Sequence, residues 1–194
     1  MTKTLYLMRH GQTLFNELHK IQGACDSPLT EKGIEDAKAV GKYFRDNNIK
    51  FDHAYSSTQE RASDTLELIT NQPYERLKGL KEWNFGVFEG ESEKLNPKFD
   101  PTIGSVGDFF VPYGGDSADA VQKRMKDTLT DVMNQKDTEQ VFAVSHGGAI
   151  YLFLKNWLSL NEIIQHTDLG NCAILKFTFS NNVFEYQETI NVIK

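Results

Sequence analysis

Two short segments of this chain carry the residue types of phosphate chemistry. The first is Arg9-His10-Gly11, which ends the apolar run Thr4-Leu5-Tyr6-Leu7-Met8; the second is Ser145-His146-Gly147-Gly148, which ends the apolar run Val141-Phe142-Ala143-Val144. Each places an imidazole beside glycine where an apolar stretch stops. Arg9 adds a permanent cation to the first, and Arg61 lies in a third segment, Tyr55-Ser56-Ser57-Thr58-Gln59-Glu60-Arg61. Arginine suits a tetrahedral anion because its planar fork offers several donors at fixed angles. Glycine lets the backbone turn sharply and lie close to the ligand. Taken alone, Arg-His-Gly is equally an ordinary strand exit with a solvated Arg, so a phosphate site depends on the elements that bring the segments together.

Those elements are legible as alternating patterns. Strand signals fall at Leu5–Met8, Phe51–Tyr55, Glu75–Lys78, Val141–Ser145, Ala173–Phe179 and Val183–Gln187, as short apolar β-favouring runs. Helical patterns lie between them. Thr30 caps a segment reaching Asp46, with Ile34, Ala37, Val40, Gly41 and Phe44 on one face. Ser57 and Glu60 have the spacing of a capping box, opening a helix to Thr70. Ser117 starts another running to Asn134, and Ala149 to Trp157 forms a fourth. The alternation predicts a three-layer α/β/α sandwich: a mostly parallel central sheet of about six strands with helices on both faces. Asn181-Asn182 should join the last two strands as an antiparallel hairpin. In such sheets ligands bind beyond the carboxyl ends of the strands, which would put His10 and His146 on one rim. The helix after Gly148 would then turn its N-terminal amides toward an anion.

Gly86 to Gly115 breaks the alternation. It holds Pro97, Pro101, Pro112 and the aromatics Phe88, Phe99, Phe109, Phe110 and Tyr113. Its length without periodicity marks a functional loop, read as an ordered lid; each ring taken singly could equally just pin the insertion to the core.

Composition narrows the partners. The chain has 194 residues, 39% hydrophobic, and a formal net charge of −6, which suits one domain with a real core and gives no basic surface for nucleic acid. A local cationic pocket in an acidic protein selects small ligands. Cys25 and Cys172 are far apart and form no C-x-x-C pattern, so reduced thiols are expected, with neither zinc site nor disulfide. No apolar run approaches the roughly 20 residues of a membrane span, and the N-terminal run lacks a cleavage signal. A soluble cytoplasmic protein is expected. The sequence specifies no oligomeric state, and a homodimer is compatible with it.

Taken in order, Arg9-His10-Gly11, Ser57 with Arg61, Glu82 and Ser145-His146-Gly147 resemble the histidine phosphatase superfamily, also called phosphoglycerate mutase-like. Gly23-x-x-Asp26-x-Pro28-Leu29-Thr30-x-x-Gly33 and Gly114-Gly115-Asp116-Ser117 are similar to further family motifs. The resemblance covers residues 1–194 as a single domain, with 86–115 as its lid or specificity insertion. It implies that His10 is the nucleophile and forms a phosphohistidine, that Arg9, Arg61 and a donating His146 hold the phosphoryl oxygens, and that Glu82 is the acid/base. Asn16, Gln22, Gly23 and Gly147 complete the implied phosphate-binding set. Glu60, Glu75, Glu89 and Glu91 are rival carboxylates by proximity, and Asp26 and Asp116 read as loop or cap residues. Cys25 borders the implied pocket, where redox sensitivity is one reading and small-residue packing the stronger.

His19, His53 and His166 read as surface, loop or packed residues. A metal triad of His10, His146 and Glu82 is disfavoured by two adjacent arginines and by the absence of short ligand spacing, so no metal and no cofactor is expected. The resulting function is a phosphatase acting on a small phosphorylated metabolite. The alternative is a 2,3-bisphosphoglycerate-dependent phosphoglycerate mutase, for which 2,3-bisphosphoglycerate would be the cofactor. A mutase must hold a second anionic group, yet after Glu82 only Lys94 and Lys98 stand among Glu89, Glu91, Glu93 and Asp100. A silent phospholigand-binding protein is the remaining alternative, disfavoured because every reactive group is present.

Overall fold

The computed structural model describes residues 2–193. In chain order the elements are β1 (Lys3–Arg9), α1 (Leu14–Glu17), α2 (Glu31–Asp46), β2 (His53–Ser57), α3 (Glu60–Ile69), β3 (Glu75–Leu77), α4 (Ala118–Met133), β4 (Gln140–Ser145), α5 (Gly147–Leu154), α6 (Leu160–His166), β5 (Ile174–Ser180) and β6 (Val183–Ile190). The strands form one sheet in the order β3-β2-β4-β1-β5-β6. β1, β2, β3 and β4 run parallel; β5 is antiparallel to β1 and to β6. The expected mostly parallel six-stranded sheet is therefore present. The final hairpin turns through Asn181 and Asn182, at φ 51° and 61°, a left-handed pair that Asn tolerates.

Alternation along the central strands divides the core into two layers. Leu5, Leu7, Val141 and Ala143 face α4 and α5 and pack with Val121, Met125, Leu129 and Phe153. Tyr6, Met8, Phe142 and Val144 face the other way, onto Ala37, Val40 and Phe44 of α2 and Ala62, Leu66 and Ile69 of α3. These strands are apolar on both sides because both faces are covered.

The parallel register of β1 on β4 decides where the chemistry lands. Arg9 pairs with Ser145, and His10 N donates to Ser145 O at 3.0 Å. Both strands thus expire at the same level, and the two following histidines emerge side by side.

Two local expectations need correction. Ser57 does not cap α3: β2 runs through it, the N-cap is Gln59 and no side chain of that residue caps the helix. The cap comes from a distant loop instead, with Glu60 N donating to Asp26 Oδ2 at 2.6 Å. The helix after His146 also starts at Gly147 and stops at Leu154, earlier than periodicity suggests. α1 and α6 carry no sequence expectation; each closes a capping box, Thr13 with Asn16 and Ser159 with Glu162.

The 86–115 segment is a chain of turns, with 3-10 helix at Gly86–Phe88, Glu93–Leu95 and Val111–Tyr113. Phe110 is 2% exposed and packs its ring against Trp83, Phe85, Phe88 and Phe109. These rings anchor both ends of the segment to the core. Leu95, Phe99 and Ile103, between them, are about half exposed.

Candidate active site

His10 sits at the end of β1, 3% exposed. Its Nδ1 lies 2.7 Å from Gly11 O, and a carbonyl only accepts, so Nδ1 carries the proton and Nε2 keeps its lone pair. That lone pair faces Arg61, whose Nε donates to it at 3.3 Å. Burial, then Arg61 and Arg9, hold the His10 pKa well below that of free imidazole, against the opposing bond to Gly11. The ring is neutral with Nε2 unprotonated, as a nucleophile requires.

The backbone around His10 is fixed from three sides. Gly11 N donates to Thr65 Oγ1 at 2.9 Å. His10 O accepts from Asn171 Nδ2 at 3.1 Å and from Cys172 N at 3.3 Å. Cys172 takes φ 60°, a strained value for a residue with a side chain, and it is what brings this turn onto the His10 carbonyl. Asn171 Nδ2 also donates to Asn16 Oδ1 at 3.1 Å, which also accepts Thr13 N at 3.2 Å. With its oxygen so engaged, Asn16 lines the cavity.

Arg61 enters from the first turn of α3 and is 1% exposed. Nη1 donates to Cys25 O at 2.9 Å and to Asp26 Oδ1 at 3.0 Å, and Nη2 donates to Gly23 O at 3.0 Å. The loop 23–26 thus wraps the guanidinium and fixes its plane. Glu89 holds that loop in turn. Its carboxylate accepts from Gly23 N, Ala24 N and Cys25 N at 3.0, 2.7 and 3.0 Å, and from Phe85 N at 2.9 Å. Burial alone would raise the Glu89 pKa, yet the bonds from Cys25, Phe85 and Ala24 hold it below the usual range. Gln59 adds a second tie, donating to Gly23 O.

Arg9 Nη1 donates to Leu169 O at 2.7 Å, while its buried Nε has no partner. Burial lowers the Arg9 pKa, Glu82 counters this and Arg61 adds to it. His146, fully buried, has neither ring nitrogen satisfied. Its ring centroid is 5.1 Å from that of His10. Burial, then Arg61, His10 and Arg9, hold its pKa well below the free value.

Glu82 is 8% exposed and occupies a position that sequence reasoning assigned to a ligand. Its carboxylate accepts from Gly148 N at 2.9 Å, Ala149 N at 2.7 Å and Trp83 N at 2.8 Å. The first amides of α5, expected to face an outside anion, bind this internal one instead, as favoured at a helix N-terminus. The fit is close: a Cβ on Gly148 would fall 2.9 Å from Glu82 Oε1. The Glu82 backbone is clamped too, its N–H donating to Gln59 Oε1 at 2.9 Å and its carbonyl accepting Arg124 Nη2 at 3.3 Å.

Arg9, His10, Asn16, Gln22, Glu82 and Gly147 line a cavity of about 350 Å³ with Lys20, Glu93, Asn96, Phe85 and Tyr151. Arg61 and His146 lie buried beside His10, one step back from this lining. Gly23 acts one step back, through its carbonyl on Arg61 and its amide on Glu89. Of the rival carboxylates, Glu60 pairs with Arg76 at the surface, Glu75 is exposed in β3, Glu89 is consumed by amides, and Glu91 is exposed. Asp26 does cap a helix, as expected, and it also forms the ion pair with Arg61. The Cys25 thiol is pushed up to about 11 by burial, with Glu89 adding to it, so it is no reactive thiolate. Asn171, Thr65, Asn96 and Arg124 carry no sequence signal. Each acts across a long separation with no recurring pattern around it.

Among the described residues no group of three or more His, Cys, Asp or Glu is placed to hold a metal ion, and no helix is long and apolar enough to cross a membrane. The family model for the histidine phosphatase superfamily (branch 1) matches residues 5–191. A metal-independent phosphoserine phosphatase of Arabidopsis thaliana is 31% identical over 82% of this chain and 72% of its own. A 2,3-bisphosphoglycerate-dependent phosphoglycerate mutase 2 of Bacteroides thetaiotaomicron is 26% identical over 98% and 89%. Among solved structures, a phosphoserine phosphatase mutant of Entamoeba histolytica in complex with phosphoserine superposes with a TM-score of 0.81 at 30% identity, over 98% of each chain.

Proposed function

This chain belongs to the histidine phosphatase superfamily (branch 1), and from that premise we propose that it is a phosphatase hydrolysing small phosphomonoesters through a phosphohistidine on His10. One observation carries the reading: the buried Arg9 Nε and the ring nitrogens of His146 have no partner in the protein, and His146 and Arg61 both stand beside the His10 ring. Buried polar groups are otherwise almost always satisfied. A phosphoryl group in that space would accept from all of them.

The steps balance as follows. His10 Nε2 attacks phosphorus, the phosphorus–oxygen ester bond breaks, and the leaving alkoxide takes its proton from the acid form of Glu82, the form that the water step regenerates. Glu82, now a carboxylate, then removes a proton from water, which attacks the phosphohistidine and releases inorganic phosphate and neutral His10. Arg9, Arg61 and His146 stabilise the charge on the equatorial oxygens.

The mutase alternative is supported by relatives of that name. It needs a second anionic group held at the cavity mouth. There Lys20 shares the lining with the carboxylate of Glu93, and Lys94 and Lys98 are exposed. This favours hydrolysis. Assay of p-nitrophenyl phosphate in the presence of a chelator, with wild type and His10→Ala, tests the reading. Hydrolysis that resists chelation and is lost in His10→Ala is expected; activity intact in His10→Ala would overturn it. Isomerisation of 3-phosphoglycerate primed by 2,3-bisphosphoglycerate at rates above hydrolysis would favour the mutase.

A further inference from the structure

The mouth of the cavity has a different chemistry from its floor, and its two charged walls are built rather than incidental. After α1 the chain turns through His19 at φ 52° and pairs with the segment beyond Glu89. Ile21 N donates to Glu91 O at 2.8 Å, Gly90 N to Ile21 O at 2.9 Å and Glu93 N to His19 O at 2.9 Å, with Lys20 bridged to Ser92. This pairing sets Lys20 and Glu93 on the rim beside Asn96.

Among the described residues Lys20 has no carboxylate partner; its Nζ rests 5.3 Å from the Phe15 ring centroid. Glu93 is about half exposed, and its contact is the exposed ring of His19 at 3.5 Å. It lines the same cavity as Arg9. A carboxylate on the wall of a phosphate cavity repels a dianion and any second acidic group on it. That repulsion turns into selectivity when the alcohol part of the substrate brings a cation. Lys20 and Asn96 would accommodate an anion on the same fragment, and a cavity of about 350 Å³ admits only a small one.

Building on the phosphomonoesterase reading, we propose that Glu93 and Lys20 are specificity-determining residues that select the phosphomonoester of a small zwitterionic alcohol, a phosphorylated hydroxyamino acid, Glu93 facing its ammonium group and Lys20 its carboxylate. The selectivity is a difference between charged neighbours and leaves the reaction at His10 unchanged.

Three substrates separate the two contacts: O-phospho-L-serine; D-3-phosphoglycerate, which has hydroxyl in place of the ammonium; and O-phosphoethanolamine, which lacks the carboxylate. In the wild type kcat/KM should be highest for phosphoserine, with each of the others lower by about two- to five-fold, the range of exposed ion pairs. Glu93→Gln should close the gap between phosphoserine and phosphoglycerate while leaving that to phosphoethanolamine; Lys20→Met should do the reverse. A flat wild-type ranking, or variants that lower all three substrates in parallel as a merely structural role would, overturns the inference. If p-nitrophenyl phosphate is turned over while the ranking is flat, only this inference fails. If nothing is turned over, the phosphatase reading fails with it.

Discussion

Arg61 Nε donates to His10 Nε2 across 3.3 Å, so a permanent cation covers the lone pair that would attack phosphorus. The contact keeps the imidazole unprotonated, since a proton on Nε2 would face the guanidinium directly. The bond occupies that lone pair at rest and opens when phosphorus is attacked, while Gly11 O holds the opposite side of the ring. The same guanidinium then lies beside any phosphoryl group that reaches Nε2. One arginine thus prepares the nucleophile and receives the charge that develops once it attacks.

Arg61 is therefore expected to act on turnover more than on affinity. Arg61→Lys keeps a cation but loses the fork that engages Cys25, Asp26 and Gly23 together, and kcat should fall by about 10²–10³, the scale for removing one preorganised donor. Steady-state kinetics on p-nitrophenyl phosphate with a thermal melt of the same sample checks this. An unchanged kcat in a folded variant would remove Arg61 from the mechanism.

Glu82→Gln should discriminate between leaving groups. An alkyl phosphate releases a strongly basic alkoxide and needs the proton; p-nitrophenolate does not. The variant should lose about 10²–10⁴ in kcat on an alkyl phosphate and distinctly less on p-nitrophenyl phosphate. Equal losses on both would indicate that Glu82 does not protonate the leaving group. Gln keeps one acceptor oxygen for the α5 amides and sets its NH2 against the other amide donor, so a thermal melt of the variant accompanies the comparison.

The pH behaviour follows from His10 and His146, both held well below the free histidine value. In the unfolded chain these rings take up protons near pH ~6.5, whereas in the folded protein they stay neutral. The unfolded state therefore binds more protons as pH falls through ~6.5, and stability decreases from there until the folded values are reached. Melting temperature should decline over this interval. By NMR the His10 and His146 rings should stay neutral through the range in which free imidazole titrates. A midpoint near ~6.5 for His10 would contradict the arrangement.

Glu89→Ala removes the acceptor for four backbone amides and should cost about 1–3 kcal/mol of stability. It should also lower kcat by about ten-fold or more through the loosened loop 23–26 that holds Arg61. Because Glu89 is held below its ordinary value, its contribution is complete above the unfolded carboxyl range and is lost as pH falls through the folded one. The acid side of the wild-type stability profile should accordingly flatten in the variant. Urea titrations at two pH values measure both effects.

The sequence by itself determined the sheet, the rim and the two histidines on it. β1 and β4 are short apolar runs that each lead into His-Gly, and their parallel pairing aligns Arg9 with Ser145 and sets His10 beside His146. Polarity and period are local properties and can be read along the chain. The capping reading of Ser57 failed because strand pairing carries β2 through that residue, and pairing is not local. Only the tertiary structure decided what the charged side chains do. Glu82 reaches α5 amides 66 residues ahead, Glu89 holds a loop 64 to 66 residues behind it, and Lys20 and Glu93 share a rim through the pairing of two irregular segments. Each of these carboxylates has the same composition signal as a solvated one. What separates them is which unsatisfied amide or cation the fold brings within reach, and that depends on long-range closure of the chain.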